Sequence, residues 1–105
     1  TIAIKMKSND WPVGNCYNFA QYSLLLHMLA QVVDMEPYEF IHSAGDVHYY
    51  QNQAELVEEQ LKRKPLAPPK IWLNPEIKDL FQFKMSDIEI IGYQHLDPIN
   101  YPVSV

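Results

Sequence analysis

Apolar and polar positions alternate over residues 2–7, which is typical of a β-strand with one buried face. The turn-forming residues over 8–15 then predict a loop. Over residues 19–33 apolar side chains recur with helical spacing and occupy nearly every face, which predicts a long buried helix. We expect Asn15 or Asn18 to cap the start of that helix.

Residues 40–50 form the most informative stretch, because β-prone ends flank a small polar centre. The glycine in that centre, Gly45, predicts a bulge or a close approach to the strand backbone. Strand alternation places His48 and Tyr50 on one face, where an imidazole and a phenol can both bind a hydroxyl group. The residues alone leave open a plain core strand whose polar groups find internal partners.

Shorter elements are predicted in the second half of the chain. Asn52 and Glu55 have the spacing of a capping box at the start of a second helix. Residues 70–73 predict a short strand, residues 74–80 a brief helix, and residues 89–93 a last strand. The pattern predicts one α/β (α+β) domain, in which a mixed β-sheet packs on the long buried helix.

Composition and charge narrow the class of protein. Of 105 residues, 48% are hydrophobic and 20% charged, as in folded globular domains. The net charge of −5, with scattered basic residues, argues against nucleic acid or an anionic membrane as the main partner. Cys16 is the only cysteine and the four histidines lack metal-ligand spacing, so we expect no disulfide and no metal.

Features expected of a membrane or secreted protein are missing from the sequence. No apolar run is long enough to cross a bilayer and no signal peptide is recognisable, so we expect a cytoplasmic protein. The chain begins at Thr1, inside a predicted strand, and we expect it to be a piece of something longer.

Five motifs follow one another along the chain. Their residues are Ser8, Asp10, Gly14, Tyr17-Asn18, Ala20 and Tyr22; Gly45-Asp46, His48, Tyr50 and Asn52; Gln60-Leu61, Arg63 and Pro65; Pro69-Lys70; and Tyr93 with the ending Pro102-Val103-Ser104-Val105. In this order and at this spacing they resemble the C-terminal portion of the thymidylate synthase family. The resemblance covers essentially all of residues 1–105.

The resemblance implies a nucleotide site. The family methylates C5 of dUMP, with methylenetetrahydrofolate as both carbon donor and reductant. It implies that Asn18 faces the pyrimidine edge, where a side-chain amide offers one donor and one acceptor. His48 and Tyr50 would bind the sugar hydroxyl, and Ser8, with Lys7 beside it, would bind the phosphate.

The resemblance also implies a folate site and a partner subunit. Asp10 would contact the pterin ring, with Gly14 on the same side, and the Val105 carboxylate would belong to a tail closing over the folate. Such closure excludes water from the reacting carbon. The family is a symmetric dimer, so we expect a homodimer or assembly with an upstream portion of the protein.

Several positions depart from the family pattern. The nucleophilic cysteine of the family lies upstream of the residues present here, and we expect Cys16 to be a packed thiol. Lys7 replaces an arginine and loses its bidentate fork. Gln53 replaces a histidine, and Asn100 replaces a lysine in the tail. The chain would therefore hold half of an active site.

Two other functions remain open at this point. A dUMP or dCMP hydroxymethylase of the same superfamily would add the one-carbon unit without reducing it. A non-catalytic remnant would only bind a nucleotide or a partner protein. A nucleophilic cysteine segment upstream of Thr1 would indicate an enzyme, and its absence a binding module. Asn18 itself favours a uracil nucleotide, unless it merely caps the helix.

Overall fold

The computed structural model describes residues 1–103, so the expected folate contact of Val105 lies outside the described residues. The helices and strands follow one another in an order close to the predicted one. They are β1 (Ile2–Asp10), α1 (Gly14–Val32), β2 (Phe40–His48), α2 (Ala54–Leu61), β3 (Lys70–Leu73) and β4 (Ile88–Ile91), with 3-10 turns at Gln51–Gln53, Leu80–Gln82 and Met85–Asp87.

The strands form two separate two-stranded sheets. β1 and β2 are parallel and α1 is the crossover between them, whereas β3 and β4 are antiparallel. The α1 helix packs on the first sheet through the Phe19 ring, which lies edge-on to Phe40 at 5.8 Å and to His42 at 4.9 Å between centroids. The α/β fold class is confirmed, with the parallel and antiparallel pairings in different sheets.

Gly45 marks a close approach between the two parallel strands. A Cβ atom at this position would lie 3.0 Å from the Lys7 carbonyl oxygen, tighter than ordinary van der Waals contact. The strands keep one register from Ile2 opposite Phe40 to Asp10 opposite His48. The close approach, and not a bulge, therefore explains the glycine.

Both boundaries of the predicted loop are wrong. β1 continues to Asp10, because residues 8–10 pair with residues 46–48 of β2. α1 begins at Gly14, so Asn15 and Asn18 lie inside the helix and cap nothing. The N-cap position is Val13, which makes no side-chain capping hydrogen bond. Pairing with a strand distant in sequence extends β1 beyond its alternating pattern.

The α1 helix is less buried than its sequence predicts. Its buried residues are Asn15 and Ala30, and most of its apolar side chains are half-buried. A two-stranded sheet covers only one side of a helix, and the described residues leave the remaining apolar faces partly open. Within residues 1–103 no helix has the length and hydropathy needed to cross a membrane.

In the second half of the chain, one predicted strand is confirmed, and the predicted bounds of the last strand and the predicted cap of α2 are wrong. β3 occupies the predicted residues, whereas β4 runs over Ile88–Ile91 and not over residues 89–93. The N-cap of α2 is Gln53, not Asn52.

The brief helix expected over residues 74–80 does not form. Instead Asn74 accepts from the Glu76 backbone N–H and donates through Nδ2 to Asp87 Oδ1 at 2.9 Å. The Gln31 amide of α1 donates to the Asn74 and Ile77 carbonyl oxygens, both at 2.9 Å. These hydrogen bonds hold the segment as a turn.

Candidate functional site

The carboxyl ends of β1 and β2 bring four of the motif residues together. In the parallel register Ser8 pairs with Asp46, and Asp10 pairs with His48. The Trp11 backbone N–H donates to the His48 carbonyl oxygen at 2.9 Å, which joins the turn after β1 to the end of β2. Ligands of parallel sheets commonly bind at this edge, outside the carboxyl ends of the strands.

His48 and Tyr50 lie side by side, as strand alternation predicts. Their ring centroids are 5.8 Å apart at 73°. The strand ends at His48, so Tyr50 belongs to the segment that leads into the next turn. An acidic neighbour is Asp46, whose carboxylate is exposed and lies 3.6 Å from His48 Nδ1. That distance is too long for a hydrogen bond.

Asn18 lies one turn inside α1, and its side chain contacts β1. Its Nδ2 is 3.6 Å from the Met6 sulfur, a weak acceptor. A Cβ atom on Gly14 would lie 3.5 Å from the Asp10 Cβ and 3.8 Å from Asn18 Nδ2. Asp10, Gly14 and Asn18, predicted from separate motif positions, therefore occupy one neighbourhood.

A buried asparagine pair, which the sequence analysis missed, braces this neighbourhood. The Asn9 amide donates to Asn15 Oδ1 at 2.9 Å, and the two side chains are 1% and 5% exposed. The bond links the end of β1 to the first turn of α1. Asparagines in a predicted loop are expected to be exposed turn formers, so no local signal identified them.

Unpaired polar atoms are concentrated at the same edge. Among the described residues, four buried side-chain atoms lack a hydrogen-bond partner: Asn9 Oδ1, Asp10 Oδ1, His42 Nε2 and His48 Nδ1. Three of them lie at the carboxyl ends of β1 and β2. Buried polar atoms in folded proteins almost always have a partner, so this edge is the candidate site.

The remaining expected residues are more exposed. Lys7 and Ser8 are adjacent and exposed near the end of β1. Cys16 is a free, exposed thiol, so the expectation of a packed thiol is wrong. It lies in the first turn of α1 and lines an open groove of about 670 Å³ together with Arg63, Tyr93 and Tyr101.

The C-terminal tail runs along α2 and is held by three sets of hydrogen bonds. Gln53 Nε2 donates to the Pro102 carbonyl oxygen at 2.9 Å, and Arg63 Nη1 donates to the Asp97 carbonyl oxygen at 2.8 Å. Between them the Tyr101 hydroxyl donates to Gln60 Oε1 and to the Leu56 carbonyl oxygen. Burial, followed by the nearby Cys16 and Glu59, raises the pKa of Tyr101 and keeps this hydroxyl a donor. No metal-binding group of His, Cys, Asp or Glu occurs within residues 1–103.

Known thymidylate synthases are similar to this chain in both sequence and structure. A thymidylate synthase from Leuconostoc mesenteroides subsp. mesenteroides is 44% identical over the whole chain, and one from Mycoplasma mobile is 47% identical. The solved structure of a thermostable thymidylate synthase A from Bacillus subtilis superimposes on 98% of the chain with a TM-score of 0.93 at 36% identity.

The matched region is a part of each relative. The chain spans about a third of their length: 33% and 36% of the two sequences, and 37% of the Bacillus subtilis chain. The family model for thymidylate synthase matches residues 1–105 from end to end. The chain therefore belongs to the thymidylate synthase family.

Proposed function

We propose that this chain is the C-terminal portion of an enzyme that methylates C5 of dUMP, giving dTMP, with methylenetetrahydrofolate as carbon donor and reductant. The observation that supports this most directly is the pairing of Asp10 with His48. This pairing places Asp10, which the resemblance assigns to the folate, next to His48, which it assigns to the sugar. A reaction between the two ligands requires such proximity.

Three features support the proposed nucleotide contacts. Asn18 lies inside the helix and is not its cap, so its amide is free of that role and suits the uracil edge. The His48 side chain is partly exposed and its ring lies beside the Tyr50 ring, where both can bind the sugar hydroxyl. Ser8 is exposed at the same edge and suits the phosphate, and Lys7, the preceding residue of the strand, is also exposed.

The folate is proposed to bind on the Asp10 side of the site. The half-buried Asp10 carboxylate offers acceptors for the N–H groups of a pterin ring. Gly14 presents no side chain there, which leaves room for a flat ring. The Val105 carboxylate would complete the tail over the folate. The thiolate that attacks pyrimidine C6 would come from another part of the protein, which we propose to be a homodimer.

The product identifies the reaction in the protein that contains this chain. Incubation with dUMP and methylenetetrahydrofolate is expected to yield dTMP together with dihydrofolate, because the folate is oxidised as it reduces the carbon. A hydroxymethylated nucleotide with tetrahydrofolate would identify a hydroxymethylase. Nucleotide binding without turnover would identify a binding module.

The sugar contact has a matched pair of variants. We expect Tyr50→Phe to raise KM for dUMP up to about tenfold, the effect of losing one hydrogen bond. Tyr49→Phe removes the same hydroxyl from the neighbouring exposed residue and should leave KM unchanged. Equal kinetics for both variants would overturn the role of Tyr50.

A further inference from the structure

The Gln53 side chain is buried to an extent unusual for a glutamine. It is 1% exposed and is one of the two most fully buried large side chains among the described residues. Its Oε1 accepts from the Tyr50 backbone N–H at 3.1 Å, and its Nε2 donates to the Pro102 carbonyl oxygen at 2.9 Å. Both halves of the amide are therefore used, each on a different segment of the chain.

The two hydrogen bonds have different consequences. The bond to Tyr50 is local, spans three residues, and belongs to a capping box at the start of the turn Gln51–Gln53. Any acceptor of similar length could make it. The bond to Pro102 reaches 49 positions along the chain and requires a donor. Helix capping explains the first bond but not the second.

Of the three sets of hydrogen bonds that hold the tail along α2, the one made by Gln53 lies closest to the candidate site. The Arg63 and Tyr101 contacts hold the tail further along α2, where they are partly exposed. Tyr50, bonded to the other end of the Gln53 amide, is two residues from His48 at the end of β2. A single buried side chain thus joins the tail to the segment that carries the sugar contact.

We infer that Gln53 is a positioning residue that ties the C-terminal tail to the backbone of Tyr50. A ligand that fixes Tyr50 then also fixes the tail, and an ordered tail favours the bound position of Tyr50, because such linkage is reciprocal. The identity of that ligand rests on the proposed function, whereas the link between the tail and Tyr50 does not.

The test removes either the donor half of the amide or the whole amide, in the protein that contains this chain. Gln53→Glu keeps an acceptor for Tyr50 but, when ionised, has no donor for the Pro102 carbonyl. Gln53→Met removes both bonds at similar volume. Gln51→Glu, at the exposed start of the same turn, is the matched control for the added charge.

Hydrogen exchange reports the link directly. At pH 8 we expect Gln53→Glu to lower the protection of the tail amides at residues 99–101 and 103 by about tenfold, with the β1 amides unchanged. Acidification should restore tail protection, since a protonated carboxyl regains the donor. Gln51→Glu should behave as the unmodified protein. Unchanged tail protection in Gln53→Glu, or an equal loss in β1, would overturn the inference.

Adding dUMP separates the link from the proposed function. In the unmodified protein, dUMP is expected to raise tail protection several-fold, and Gln53→Met should abolish that increase while dUMP still binds. If dUMP changes nothing in the unmodified protein but Gln53→Glu still frees the tail, the nucleotide assignment fails and the link stands. A dUMP-dependent increase that persists in Gln53→Met would overturn the link and leave the nucleotide assignment intact.

Discussion

Asp10 and His48 are register partners at the carboxyl ends of the parallel strands β1 and β2. They are 38 positions apart in the sequence, with the whole of α1 between them, yet the backbone of the next residue, Trp11, donates to the His48 carbonyl oxygen at 2.9 Å. One proposed folate contact, Asp10, and one proposed nucleotide contact, His48, are therefore carried by the same pair of strands. A change that shifts one strand end is expected to affect binding of both ligands.

Asn18 is expected to determine which pyrimidine nucleotide the proposed enzyme accepts. Uracil presents an N3–H donor beside the O4 acceptor, whereas cytosine presents the N3 acceptor beside an amino donor. An ionised carboxylate can accept a hydrogen bond from that amino group. Asn18→Asp should shift the ratio of kcat/KM values from dUMP toward dCMP roughly tenfold or more, at about 1–3 kcal/mol per unpaired buried group.

The control for this shift is Gln21→Glu, which makes the same chemical change at an exposed position of α1. It should leave the base preference unchanged. An Asn18→Asp enzyme with normal stability and an unaltered preference for dUMP would contradict the proposed contact.

Cys16 is expected to play no part in catalysis. It is an exposed thiol in the first turn of α1. We expect residues 1–105 alone to release no tritium from C5-labelled dUMP in the presence of folate, since covalent catalysis needs a thiolate at pyrimidine C6. In the full protein, Cys16→Ser should retain activity within about twofold, because a free exposed thiol contributes little. Loss of turnover in that variant would make Cys16 the nucleophile.

Residues 1–105 alone are expected to self-associate. Ile41 and Val47 on β2 are 45% and 50% exposed and Ile90 on β4 is 62% exposed, and exposed apolar surface on strands drives association. Sedimentation velocity should show dimers or larger species. Ile41→Lys should weaken the association more than Tyr38→Lys, which changes an exposed side chain outside the strands. A stable monomer would contradict the prediction.

Asp87 is expected to make the fold sensitive to acid. The Asn74 side-chain donor and the Lys84 backbone N–H lower the pKa of Asp87 below its ordinary value of 3.8. A depressed carboxyl pKa stabilises the fold above the unfolded-state pKa, and this contribution is lost as the pH falls through the folded-state pKa.

Thermal unfolding between pH 7 and pH 2.5 checks this assignment. Asp87→Asn should lower the melting temperature at pH 7 and flatten its decline below pH 4, because the charge that responds to acid is gone. Glu58→Gln, at an exposed position of α2, should leave the profile as it is. A parallel profile for Asp87→Asn would mean that another carboxyl carries the acid sensitivity.

The sequence determined the order of the main elements and the residues of the candidate site. Periodicity is a local property, so it identified the central strand–helix–strand unit and placed β3 at the residues where it occurs. The residue pattern by itself singled out His48 and Tyr50, whereas Ser8 and Asp10 followed from the resemblance to the thymidylate synthase family. Membership of that family is confirmed.

Tertiary structure alone decided how these pieces meet. β1 extends to Asp10 because a distant strand supplies partners for its last residues, and Asn9 is buried because Asn15 accepts its hydrogen bond. The Gln53 amide joins segments 49 positions apart. Parallel pairing and buried polar contacts form between residues remote in sequence, and local periodicity carries no information about such partners.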